Sequence, residues 1–243
     1  MQLRPLWIAG RFLTRLPFPD PGVTTPHEVG QSVPWYPVTG WVMGCLMVLA
    51  AWLLRDSDPA VAASLVLILW VWLSGGIHLD GLADTLDAWV GGLGSRERTL
   101  EIMKDPRSGP AAVTAIGLVL IAKWSSLQAL ITTEPWLLFA IPLLARMQLP
   151  LLLLTTPYAR QRGMAADQCH HLPRSAAWIA VFATLIGCPL IFGWIGVILV
   201  SVSLLVFGLA RRAMLQRLAG FTGDTAGALV ELTETLLLLT IAL

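Results

Sequence analysis

Charge is scarce in this chain: Asp, Glu, Lys and Arg make up 13% of its 243 residues, 56% are hydrophobic, and the mean hydropathy is +0.73. A soluble domain of this length would need a charged surface that so few side chains cannot supply. Cysteine is also sparse. Cys45, Cys169 and Cys188 have no metal-like spacing, which argues against a disulfide framework, and the adjacent Cys169, His170 and His171 cannot readily face one ion. The apolar/polar alternation of a membrane β-barrel is missing. So is the small-residue cleavage site of a signal peptide, although the first residues are basic and apolar.

What the chain does have is long apolar runs, at 36–54, 60–79, 111–131, 136–154 and 226–243, with a longer tract at 176–210. Roughly 20 apolar residues cross the hydrocarbon layer as a helix, and continuous runs satisfy their backbone there only as helices. The tract at 176–210 is too long for one crossing, and Pro189 with Gly187, Gly193 and Gly196 at its middle predicts a turn between two spans. The expectation is an all-α, polytopic membrane bundle of about seven spans forming a single catalytic domain over 1–243. An amphipathic N-terminal helix carrying Arg4, Arg11 and Arg15 on one face would lie at the interface. Alternating seven spans places thirteen of the sixteen basic residues on one side, which marks that side as cytoplasmic.

Against this background "GGIHLDGLADTLDAW" (75–89) stands out, with Asp80, Asp84 and Asp87 directly after an apolar run. Their i, i+4, i+7 spacing predicts one stripe of a short acidic helix on the cytoplasmic side. Three carboxylates so placed raise one another's pKa unless a cation lies between them. All-oxygen donors suit Mg²⁺, which is commonly held by one or two carboxylates together with substrate phosphates. The bland reading is a solvated polar face, but no Lys or Arg interleaves the stripe, and membrane-edge carboxylates are functional by default. Downstream, Asp105 lies between Lys104 and Arg107, a pattern suited to a pyrophosphate or to a simple membrane anchor. A second acidic segment, "GFTGDTAGALVELTETLLL" (220–238), carries Asp224 and Glu231 on one face, with Glu234 on the flank. Arg146, in mid-span, is their expected buried cation or a phosphate ligand.

These motifs, with "RERTLEIMKDPRSG", "LLLLTTPYARQRG", "FLTRLPFP" and "WYPVTG", resemble the cobalamin synthase family, the adenosylcobinamide-GDP ribazoletransferases. The resemblance runs through nearly the whole chain in the same order. It implies a Mg²⁺-dependent membrane enzyme late in vitamin B12 assembly, joining adenosylcobinamide-GDP to α-ribazole, or its 5′-phosphate, and releasing GMP. The family motif falls on His78, Asp80, Gly81, Asp84 and Asp87, on Lys104 and Asp105, and on Gly223, Asp224 and Glu231. Asp80, Asp84 and Asp87 would hold the metal. Lys104 and a carboxylate, Asp84, Asp105 or Asp224, would take part in the chemistry. His78, Arg107, Arg146, Arg15, Gly223 and Glu231 would contact substrate. The usual "KDSRIGAYG" of the family reads "KDPRSGPAAV" here. Expected partners are these small molecules and the lipid bilayer of the bacterial inner membrane. A second copy or other nucleotide-loop assembly enzymes are open as assembly partners, and no nucleic acid is expected. Two rivals follow from the same residues: a CDP-alcohol phosphotransferase-like enzyme, whose D-x₂-D-G-x₂-A-R pattern is not matched because Asp84 stands where its Arg would be, and a cation transporter.

Overall fold

A computed structural model describes residues 3–160 and 164–243 of the chain. The N-terminal helix α1 (Arg4–Leu13) buries Ile8, Ala9 and Leu13 and keeps Arg4 and Arg11 on its outer side. It stops at Thr14, whose backbone is extended, so Arg15 falls outside the helix and not on the basic face expected for it. The Arg15 N–H instead donates to the Leu73 carbonyl at 2.7 Å. A short helix α2 (Pro26–Ser32), closed by a Thr25/Glu28 capping box, leads into α3 (Tyr36–Leu53).

Among the described residues five helical stretches are long and apolar enough to cross a membrane: Pro26–Leu53, Pro110–Thr133 (α7), Pro135–Thr155, Arg174–Leu218 (α10) and Gly223–Ala242 (α11). A sixth comes from α4 (Pro59–Ser74) and α5 (Ile77–Gly91), which meet at an 84° bend. The 45 residues of α10 would reach ~65 Å as one rod, about twice the hydrocarbon thickness. They do not form one rod. Gly193 breaks the helix at φ 60°, ψ −137°, and Gly196 returns against the backbone of Cys188, so α10 is a hairpin of two crossings. With α10 taken as two crossings and the bent α4–α5 pair as one, the described residues agree with the expected count of about seven, and the turn falls inside the segment that sequence marked.

Exposed Leu65, Ile68, Ile121, Ile186, Leu190 and Leu205 give the rods an apolar outer surface for lipid. Inside, α3 meets α8 (Ala140–Thr155) through Gly40 and Gly44, where the carbonyls of Pro142 and Phe139 leave no space for a side chain. At one end of the bundle Trp136 stacks on Phe192, 5.4 Å between centroids. At the other end lie α5, α6 (Arg96–Ile102) and α9 (Met164–His170), together with most of the arginines. Arg96 donates to the Leu218 and Ala159 carbonyls, Arg217 to Thr99 and the Trp89 carbonyl, and Arg211 to Thr155 and Thr156. These basic residues satisfy helix C-terminal carbonyls, which favours cations there.

Candidate active site

The span α4 ends five residues earlier than its hydrophobicity predicts. Gly75 and Gly76 both take left-handed conformations, φ 64° and 71°, which only glycine adopts without strain. The chain turns there and α5 runs across the ends of α7 and α11. Asp80, Asp84 and Asp87 all lie on α5, as expected. Gly81 brings its backbone against Asp224 at the first turn of α11, where Thr222 caps the helix. Two acidic motifs more than 130 residues apart in sequence thus share one place, with Asp224 coupled to Asp84 across the helix junction.

Each aspartate has a different environment. Asp84 is partly buried, and desolvation followed by the charges of Asp80, Asp224 and Asp87 raises its pKa to about 6. Asp224 accepts from Arg160 Nη2 at 2.7 Å. Asp80 makes no hydrogen bond through its side chain among the described residues and lines a cavity together with Asp224. Asp87 meets the backbone of the next span. Its carboxylate accepts from the backbone N–H groups of Gly109 and, at 2.9 Å, Ala112, where it serves the N-terminus of α7. Both oxygens thus meet backbone N–H groups at the start of α7.

The other expected residues divide in two. Lys104, Asp105 and Arg107 sit on the turn between α6 and α7. Three hydrogen bonds from Arg107 tie up Asp105 and hold its carboxyl down at about 2. Arg146 and Glu231 lie in the bundle interior instead. Arg146 pairs with Glu234, and Lys123 of α7 reaches Glu231 at 2.6 Å and Glu234 at 2.5 Å while standing over the Trp70 ring. Glu231 is therefore paired by Lys123, not by Arg146 as sequence suggested. His78 is buried beside this network and also lines the cavity, and Gly223 lies at the cavity with open space beyond its Cα. Arg15 packs against Gly75, where it supports the elbow. Sequence reasoning did not single out Arg160, although it stands in the quoted "TTPYARQRG". A lone Lys123 in an apolar span was itself a signal of a buried acidic partner.

The donor set offered by Asp80, Asp84 and Asp224 is all carboxylate oxygen. Among the described residues no three His, Cys, Asp or Glu side chains already close around one point. Mg²⁺ needs no such closed set, because it retains waters and takes phosphate oxygens as ligands, so these residues fit it. The arrangement is an acidic face with Arg160 bound at Asp224, suited to a substrate carrying phosphates.

The family model for cobalamin-5-phosphate synthase matches residues 5–242. The adenosylcobinamide-GDP ribazoletransferase of Pseudomonas paraeruginosa (strain DSM 24068 / PA7) is 51% identical over 243 residues, 99% of this chain and 98% of its own. Proteins of the same name from Pseudomonas entomophila (strain L48) and Ectopseudomonas mendocina (strain ymp) are 48% and 49% identical, covering 98% and 97% of this chain and 98% and 97% of theirs. No solved structure matches the chain. A match of this length, with its acidic motifs assembled at one end of a helical membrane bundle, means that the chain belongs to the cobalamin-5-phosphate synthase family.

Proposed function

We propose that this protein transfers the adenosylcobinamide-phosphate group of adenosylcobinamide-GDP to α-ribazole or its 5′-phosphate, releasing GMP, with Mg²⁺ as cofactor. The reaction would run at the cytoplasmic face of the bacterial inner membrane, the side to which the basic residues belong. A ribose hydroxyl forms the new P–O bond, the pyrophosphate bond to GMP breaks, and the hydroxyl proton passes to a carboxylate. The observation that carries the reading is the convergence of Asp80 and Asp84 with Asp224 beside a cavity.

Asp80 and Asp84 would hold the metal, which when bound neutralises charge on the pyrophosphate. Lys104 and Arg107, on their exposed turn, would steady the departing phosphate. Asp224 is the proton acceptor: it lines the cavity and Arg160 fixes its orientation, whereas Asp105 is held down at about 2 by Arg107 and is a poor base. Positioning and charge neutralisation carry phosphoryl transfer, so the chain need supply no covalent nucleophile.

The test is product formation by detergent-purified protein given adenosylcobinamide-GDP, α-ribazole phosphate and Mg²⁺, read by mass spectrometry. Cobalamin phosphate and GMP are expected. Folded protein that yields neither, with either nucleophile, would overturn the reading.

A further inference from the structure

Phosphate chemistry explains the carboxylates but not the chamber behind them. A cavity of about 310 Å³ lies among α1, α3, α5, α8, α9 and α11, at the small end of ligand pockets, ~300 to 1,000 Å³. Its walls carry two aromatic pairs: Phe12 with Tyr36, centroids 6.0 Å apart, and Tyr158 with Phe221, 5.3 Å apart. Leu149 and Leu153 of α8 close another side. Asp80, Asp224 and Arg160 also line it, so the apolar walls and the reactive carboxylates belong to one space.

Beyond those three charged groups, the polar side chains of the wall are His78, Gln168 and the two tyrosines, and the rest is apolar. The Tyr36 hydroxyl is occupied by Gln168 Nε2 at 2.7 Å. His78 is only 4% exposed, and its Nε2 has no partner among the described residues. Such a chamber suits a flat, mostly apolar heteroaromatic that stacks on rings and offers few polar atoms. It is too small for a corrin macrocycle.

Resting on the reaction proposed above, we propose that this cavity seats the base of the nucleophile, a benzimidazole. Its ribose then lies at the carboxylate side, and the attacking hydroxyl is presented to Asp224 and the phosphorus. Leu149 and Leu153 become determinants of which base is accepted.

The test uses the full chain in detergent with three ribosides, of 5,6-dimethylbenzimidazole, benzimidazole and adenine. Leu153→Ala is expected to change the kcat/KM ratio between the bulkiest and smallest benzimidazole ribosides by about 10-fold or more, leaving the KM for adenosylcobinamide-GDP unchanged. On the wild type, free 5,6-dimethylbenzimidazole is expected to inhibit competitively against the riboside and not against adenosylcobinamide-GDP, which decides the matter even if Leu153→Ala fails to fold. Wild type active on the ribosides, but with free base not competing against them or with selection unaltered by Leu153→Ala, would overturn the base subsite alone. Wild type inactive on all three would overturn the underlying reaction, and this inference with it.

Discussion

Gly81 of α5 lies backbone to backbone against Asp224 of α11: a Cβ on Gly81 would come within 2.7 Å of the Asp224 carbonyl oxygen. Gly227, one turn along α11, faces Gly81 and His78 at an ordinary 3.4 Å. The two glycines should therefore respond differently. Gly81→Ala pushes the carboxylate helices apart, and a displacement near 1 Å at a reacting centre can cost about 100-fold in rate. Gly227→Ala should stay within a few-fold of wild type. Equal activity of the two variants in the cobalamin-forming assay would contradict this packing.

Lys123 neutralises two buried carboxylates at once. Lys123→Ala leaves Glu231 and Glu234 to Arg146 alone, and stranding a buried charge costs about 3–5 kcal/mol. The variant should melt well below wild type in detergent. The double change Lys123→Met with Glu231→Gln should recover part of that loss, because it removes charge and counter-charge together. A differential scanning measurement on the three proteins checks this.

Asp84 and Asp87 stand three residues apart on α5 with different partners. Asp87→Ala removes the acceptor at the start of α7 and should cost about 1 kcal/mol of stability, with the apparent Mg²⁺ requirement little changed. Asp84→Asn should do the reverse, folding normally while losing most activity even with Mg²⁺ in excess. Magnesium titrations of initial rate on both variants separate the two roles.

The pH dependence follows from Asp84. Its folded pKa is raised from 3.8 to about 6, so between those values the folded state binds the extra proton. Metal-free protein should therefore lose stability as pH rises from about 4 to about 6 at this group. Mg²⁺ competes with that proton, so its apparent affinity should climb across the same window and level off above it. Thermal midpoints at pH 4.5 and 7, with and without Mg²⁺, provide the check. A metal effect that is the same at both would contradict it.

Much of this was legible in the sequence, for identifiable reasons. The apolar runs announced the rods, and Pro189 with its glycines announced the turn, because those signals are local. The acidic stripe on α5 was legible through its spacing. The early end of α4 was masked because Ile77 and Leu79 continue the apolar run past the glycine pair that stops it. The fate of Asp87 depends on a chain that returns 22 residues later, and the Lys123 pairs span 108 and 111 residues, distances at which pattern carries no information. Arg15 was misplaced because its i+4 relation to Arg11 looks helical, whereas α1 ends at Leu13.

The elbow at Gly75 and Gly76 also sets what kind of work the bundle does. By laying α5 across the ends of the rods, it keeps Asp80, Asp84 and Asp224 at one mouth, with no second opening required. In the reaction proposed above, substrates and products would arrive and depart on the same side, so that no charge would be carried through the bilayer. Turnover by this protein should be indifferent to an imposed potential, running alike in sealed vesicles and in micelles.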